Sequence, residues 1–378
     1  APQIEALTGL VVDPYFSATK LEWLLRELGL RPRAERGEVA AGTVDSWLLW
    51  CLTGGRAHAT DPTNASRTML FDIERREWSE DLCRLFGIPL SILPEVRSSC
   101  GFFGSTDPAF FGVPAPILGV AGDQQAALFG QGCWNAGEGK NTYGTGSFVL
   151  FNTGTRRPSS GKGLLTTLAC DAQGNCCYAL EASVFVAGAA VQWLRDGLGL
   201  LANAAESEKL AASLVSNDGV YFVPALTGLG APHWERRARG TITGLTRGTT
   251  RAHLVRAALE AMAYSTADVL EAMEHAAGLR VSALRVDGGA ASNDWLMQFQ
   301  ADVLGVPVER PELLEATALG AAALAGLSAG VWDDGESFLR LRHLTRFEPT
   351  LARPKVLALR DGWRRAVKAA LAWAQDDP

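Results

Sequence analysis

Residues 119–151, GVAGDQQAALFGQGCWNAGEGKNTYGTGSFVLF, hold two features that could do chemistry together. Asp123 follows Gly122 just past a short apolar run, residues 117–121, that reads as a buried strand. In an α/β sheet, ligands bind beyond the carboxyl ends of the strands, so a carboxylate there can accept a proton from a substrate hydroxyl. Further on, Gly144-Thr145-Gly146 lies at the centre of a β-like stretch, residues 142–151. A tight turn of that kind aims backbone N–H groups and a hydroxyl at one point, which suits a phosphate. The stretch thus offers a candidate base and a candidate phosphate cradle. An Asp after Gly at a strand end is also a common helix cap, and Gly-x-Gly alone is a weak signal.

A second candidate phosphate or nucleotide edge is LRVDGGAASN, residues 284–293, where a strand ends in Gly288-Gly289 ahead of a helix start. Its spacing is not G-x-G-x-x-G, which disfavours a dinucleotide site. Gly188 and Gln192 stand four apart on one helix face and could meet a nucleotide, although Gly188 also permits close helix packing. Tyr15, after Asp13-Pro14 at a helix entrance, could line a pocket or staple the chain. Phe148 follows the Gly-Thr-Gly turn, and core packing is its default role.

The elements that must position these residues alternate between helix and strand. A helix over 17–28, capped by Ser17, places Leu21, Leu24, Leu25 and Leu28 on one face. A second, over 44–52, has Thr43 as its cap and Val44, Trp47, Leu48 and Cys51 as its apolar face. DPTNASR, 61–67, reads as a loop. A strand follows over 163–169; residues 178–181 then lead into a small-residue helix over 184–198, and a strand over 220–224 comes next. The longest helix spans 251–277, and a strand over 284–286 precedes a helix over 294–304 capped by Ser292. A strand over 306–308, a buried helix from Thr317 and an amphipathic helix over 354–373 complete the chain. This alternation argues for an α/β fold with a largely parallel or mixed sheet.

Composition sets outer bounds. The 378 residues suffice for two or three domains. A net charge of −6 with no Lys/Arg-rich run argues against nucleic acid as a partner. Seven cysteines, an odd number without a C-x-x-C pair, suggest reduced thiols in a cytoplasmic protein and argue against a zinc site. The longest apolar stretch, 316–332, is shorter than the ~20 residues of a membrane span and reads as a buried core helix.

The joint order of these segments resembles the FGGY carbohydrate kinases. Residues 15–27, YFSATKLEWLLRE, match the family's first signature, and residues 240–260, GTITGLTRGTTRAHLVRAALE, match its second. GLVVDPYFSATK, GTVDSWLLW, DPTNASRTMLFD, GVAGDQQAALFGQG, KNTYGTGSF, PALTGLGAPHW, LRVDGGAASN and ATALGAAALAGL are similar to segments of its glycerol-phosphorylating members. The resemblance implies two actin-like (ribonuclease H-like) ATPase domains around a cleft. Residues 1–130 would be the remainder of the substrate-side domain, and residues 131–378 the nucleotide-side domain. The implied reaction is ATP-dependent phosphorylation of glycerol to sn-glycerol 3-phosphate with Mg²⁺. In it Asp123 would act as general base and meet the metal. Tyr15 and Gln124 would hold glycerol, with Phe148 against its carbon backbone. Thr145 would meet the ATP phosphates, and Gly188, Gln192, Gly289 and Asn293 would line the nucleotide site. Family members commonly form homodimers or homotetramers. Two alternatives stand beside this reading: a kinase for another polyol or ketose, and a non-catalytic actin-like nucleotide-binding module.

The match has gaps. The family carries a D-x-G-T-[TS] phosphate loop, then an Arg-Glu pair and a Trp that grip glycerol, all ahead of the segment at Tyr15; none of these lies in the 378 residues. The expectation is an incomplete first domain with an unpaired strand edge and uncovered apolar faces, and a chain inactive by itself. Formation of glycerol 3-phosphate by residues 1–378 alone would contradict the latter. Pro114 stands where relatives inhibited by fructose 1,6-bisphosphate have an Arg, which implies weak or absent inhibition.

Overall fold

The computed structural model describes residues 1–159, 161, 163–313, 315–340 and 342–375. After a short helix at Pro2–Thr8, the elements that lead to the site start with α1 (Ser17–Glu27), α2 (Val44–Leu52) and the single-turn α3 (Pro62–Ala65). An antiparallel pair, β1 (Cys100–Ser105) and β2 (Pro116–Gly119), then delivers it to α4 (Asp123–Gly130). The strands β3 (Gly139–Tyr143), β4 (Ser147–Gly154), β5 (Leu165–Cys170) and β6 (Cys176–Val184) follow. Next come α5 (Gly188–Asp196), α6 (Arg251–Ala277), β7 (Leu284–Gly288), α7 (Asp294–Leu304), β8 (Val308–Pro311), α8 (Ala316–Ser328), β9 (Leu344–Phe347) and α9 (Arg353–Gln375). The seven strands β3–β9 form one mixed sheet in the order β9-β8-β7-β3-β4-β6-β5. β3, β7 and β8 run parallel, and the remaining pairs are antiparallel.

Side chains alternate across a strand, so the register assigns each one to a face. Lys140 lies opposite Leu150 and Arg285, and Thr142 opposite Phe148 and Asp287. Glu181 also lies opposite Leu150. Lys140, Thr142, Phe148, Leu150, Glu181 and Asp287 therefore share one face. α4 packs on this face through Leu128, in a cluster with Cys133, Leu150, Ala169, Cys177 and Ala179. The opposite face is covered by α6, whose stripe Val255, Leu259, Met262, Thr266, Val269 and Met273 is buried as the sequence predicts. Thr250 and His253 close its start with reciprocal hydrogen bonds, and Gly278 ends it in the left-handed conformation.

α4 itself is held from behind by α8. The two helices touch where both carry glycine. A Cβ on Gly320 would stand 1.8 Å from the Ala126 carbonyl oxygen, and one on Gly130 would stand 2.2 Å from that of Ala316. Residues 316–332 are thus not a helix buried all round: α8 buries Ala316, Gly320, Ala323, Leu324 and Gly326 and leaves Thr317, Ala318 and Ala322 exposed.

Several local expectations are corrected. The 117–121 run is a half-exposed ladder strand, because β2 has only β1 as a partner. The β-like stretch 142–151 is two strands, since the Gly-Thr-Gly turn folds β3 back onto β4 as a hairpin. α5 begins at Gly188, because the chain over 176–184 continues as a strand paired with both β4 and β5. Ser17 lies inside α1, with Phe16 at the cap position. DPTN is a helical turn capped by Asp61. β9 appears where none was expected, paired with β8. The apolar face of α2 turns outward: Val44, Trp47 and Leu48 are exposed, while Ser46 and Leu49 are buried. Trp47 and Trp50 line an open apolar groove of about 460 Å³ with Leu24, Val39 and Ile92.

Candidate functional site

Asp123 is the first residue of α4 and is exposed, with its Oδ1 accepting from the Gln124 N–H at 2.8 Å. Its position is set by a buried hub that the loop reading of DPTN passed over. The Asp61 carboxylate has no exposed surface and accepts from the backbone of Thr63 and Asn64, the Asn64 amide, and the hydroxyls of Thr63 and Ser99. Burial raises its pKa, and these donors pull against that rise. The Thr63 hydroxyl in turn accepts from the Gly122 N–H at 2.8 Å, which fixes the corner from which Asp123 projects. The readable sequence signal was Asp-Pro followed by Thr and Asn, a capped turn.

The Gly-Thr-Gly turn is docked on the start of α5. The Thr145 carbonyl accepts from the Ala187 and Ala189 N–H groups at 2.9 and 3.0 Å, and the Gly144 carbonyl accepts from the Gly188 N–H at 3.0 Å. A Cβ on Gly188 would come within 2.6 Å of the Gly144 oxygen, so this glycine is required by close approach. The Thr145 side chain is exposed, and so is Gln192 one turn along α5. Beside the turn, β7 ends at Gly288, whose φ of 84° and 2.2 Å approach of a built Cβ to the Tyr143 oxygen admit only glycine. Gly289 opens a short 3₁₀ turn with no atom within 4 Å of a built Cβ. Asn293, not Ser292, caps α7, accepting from the Leu296 N–H at 2.8 Å; the Ser292 hydroxyl instead donates to the Gly289 carbonyl. The Asn293 side-chain amide nitrogen lies 3.4 Å from the Ser207 hydroxyl.

Gln124 and Phe148 reach the sheet face described above, the first through Lys140 and the second by its register. Lys140 was not among the residues singled out by sequence. It is fully buried, and its Nζ donates to Gln124 Oε1 at 2.6 Å and to Thr142 Oγ1 at 2.7 Å. Burial pushes its pKa below the usual lysine range, against the opposing pull of Asp287, Glu181 and Asp123. No signal in the sequence marks it, because the face that a strand residue takes is set by pairing register. Tyr15 is 68% exposed and joins the face indirectly. Its ring meets Phe16 edge-on at 5.3 Å, the Arg67 guanidinium lies 5.3 Å over Phe16, and Arg67 pairs with Glu181 at 2.7 Å.

This last pair ties α3's end to β6 with little solvent access, since the two side chains are 18% and 5% exposed. Arg67→Ala is therefore expected to leave a buried carboxylate unpaired and to cost about 3 kcal/mol of unfolding free energy. Chemical denaturation checks this; an unchanged midpoint would show the pair to be dispensable.

Among the described residues no group of three or more His, Cys, Asp or Glu side chains is arranged to hold a metal. A single exposed carboxylate such as Asp123 fits Mg²⁺, which is held by one or two carboxylates together with substrate phosphates. A dedicated protein cage, such as calcium or zinc takes, does not fit.

Two family models match the chain: the N-terminal domain of the FGGY family of carbohydrate kinases matches residues 1–130, and the C-terminal domain matches residues 139–329. The chain belongs to the FGGY family of carbohydrate kinases. Its two-domain, actin-like fold is the one the resemblance implied. It is 59% identical to glycerol kinase from Thermus brockianus and 56% identical to that from Carboxydothermus hydrogenoformans, over 98% of this chain and 75% of each relative. The structure of Plasmodium falciparum glycerol kinase with ADP superposes with a TM-score of 0.92 at 37% identity, over 98% of this chain and 74% of that one. A xylulose kinase from Rhodospirillum rubrum superposes with a TM-score of 0.81 at 25% identity, over 98% of this chain and 74% of that chain. Among the described residues no helix of this FGGY chain is long and apolar enough to cross a membrane.

Proposed function

We propose that this FGGY kinase transfers the γ-phosphoryl group of ATP to glycerol, giving sn-glycerol 3-phosphate. The observation that carries the reading is identity of 59% and 56%, over nearly the whole chain, to relatives named glycerol kinase. Asp123 takes the hydroxyl proton as the new P–O bond forms, which an exposed carboxylate at a helix start can do. Gln124 and Tyr15 hold glycerol, and Phe148 packs against its carbons. Thr145 meets the phosphates, while Gly188, Gln192, Gly289 and Asn293 line the nucleotide. Asp123, together with phosphate oxygens of the nucleotide, would hold Mg²⁺, which would supply neutralisation of the charge on the phosphoryl group. Residues 1–130 form the substrate side and residues 131–378 the nucleotide side of a cleft whose closure excludes water. The scattered cysteines, all unpaired, suit a cytoplasmic setting.

The test is a steady-state comparison of glycerol with xylulose, in a form that also carries the D-x-G-T-[TS] loop. Glycerol is expected to be preferred in kcat/KM by at least about 100-fold, because a site that hydrogen-bonds specific hydroxyls rejects misplaced ones. Preference for xylulose would overturn the substrate assignment. Calorimetry separates off the non-catalytic alternative: the kinase reading expects ADP and glycerol to alter each other's affinity, and a pure nucleotide module would show no coupling.

A further inference from the structure

Lys140 is the one fully buried lysine of the site face, and nothing in the reaction as described uses it. Burying an ammonium is costly unless it is paired and hydrogen-bonded, and an apolar side chain of similar length would fill the space more cheaply. Its two direct partners are neutral oxygens, Gln124 Oε1 at 2.6 Å and Thr142 Oγ1 at 2.7 Å. Those partners belong to the two segments the chemistry must align. Gln124 adjoins Asp123 at the start of α4, and Thr142 is the penultimate residue of β3, just ahead of the Gly-Thr-Gly turn.

The ammonium also selects the orientation of the Gln124 amide. A lysine can only donate, so the atom facing it must be the carbonyl oxygen, and the –NH₂ group is turned away. Left free, a glutamine amide can present either end. Held this way, it offers two N–H donors to an oxygen acceptor next to Asp123. A substrate hydroxyl that donates to a carboxylate still carries lone pairs, one of which can accept from such a donor. We infer that Lys140 is a positioning residue that fixes the Gln124 amide with its donors toward the substrate hydroxyl, and ties that geometry to the strand leading into the phosphate turn. The inference rests on the reading of Asp123 and Gln124 as the substrate end of a glycerol kinase.

A double-mutant cycle tests it, in the loop-bearing enzyme. Lys140→Met and Gln124→Ala are each expected to raise KM for glycerol about 10-fold and leave KM for ATP within about twofold. The double variant should be no worse than about 10-fold, because a residue acting through another adds nothing once the other is gone. Multiplication to about 100-fold, or unchanged kinetics in Lys140→Met, overturns the inference. A merely structural lysine would lower the melting temperature without this pattern. If Lys140→Met does not fold, Lys140→Leu, which likewise carries no donor, is put through the same cycle and judged the same way. Hydrogen exchange on residues 1–378 gives a reading independent of turnover: faster exchange in peptides covering Gln124 and Thr142 is expected, and unaltered exchange counts against the tie. A wild-type enzyme that ignores glycerol overturns the substrate reading and this role together. Wild-type turnover with an unaffected Lys140→Met overturns the inference alone.

Discussion

Asp123→Asn is expected to lower kcat for glycerol phosphorylation by about 10³-fold while ADP, measured without Mg²⁺, binds as before. The substitution keeps shape and size. Asn Oδ1 can still accept from the Gln124 N–H that now holds the carboxylate at 2.8 Å. Because the side chain is exposed at a helix start, the fold should lose less than about 0.5 kcal/mol. What disappears is the acceptor for the hydroxyl proton, and general-base catalysis contributes about 10²–10⁴-fold. The nucleotide contacts assigned to Thr145, Gly188, Gln192, Gly289 and Asn293 come from other segments, so nucleotide affinity serves as the internal control. Single-turnover rates and calorimetry, on the form carrying the D-x-G-T-[TS] loop, read the two quantities separately. Normal turnover by Asp123→Asn would show that the base lies elsewhere.

Gly320→Leu attacks the same carboxylate from 197 residues along the chain (320 minus 123). The helix bearing Asp123 lies so close to α8 that a Cβ at 320 would sit 1.8 Å from the Ala126 oxygen and 2.9 Å from the Gly130 nitrogen. Backbone atoms cannot rotate aside, so the helices must separate. Overpacking of this kind costs about 1–3 kcal/mol, and a clash with main chain belongs at or beyond the upper end. About 3 kcal/mol of unfolding free energy is expected to be lost, together with activity at temperatures where the protein stays folded. Ala322→Leu, on the exposed side of the same helix, is the matched control and should stay within about 0.5 kcal/mol of wild type. Denaturant titration of both variants measures the contrast. Equal stabilities would mean that the helix pair yields more readily than its geometry allows.

Much of this site was legible because the chemistry-bearing residues sit beside glycine. Gly122 before Asp123, Gly144 and Gly146 around Thr145, and Gly288 before Gly289 each mark a place where the backbone turns sharply at a strand or helix end. The 27 residues of α6 were readable from periodicity, because Val255, Leu259, Met262, Thr266, Val269 and Met273 recur at helical spacing and all are buried. Lys140 was not readable. Whether a strand residue faces a ligand or the core depends on which strands pair with it, and the chain does not print its register. The same holds for Glu181 and Arg67, which are 114 positions apart and meet only through tertiary folding. Asp61 was hidden for another reason: a polar, Pro-containing heptapeptide reads as surface loop, yet its own side chains satisfy the buried carboxylate. The outward apolar face of α2 shows the limit of amphipathic patterning, which finds a stripe but not what it packs against.

The claim on which all of this depends is that Asp123, the Thr145 turn and the Gly289 corner serve one reaction. A crystal structure with glycerol and a non-hydrolysable ATP analogue tests it most directly. The account predicts a glycerol hydroxyl within about 3.2 Å of the Asp123 carboxylate, a phosphate against the Thr145 turn, and the nucleoside between α5 and the 3₁₀ turn at Gly289. Nucleotide bound away from Thr145 and Gly289, or glycerol out of reach of Asp123, would contradict it.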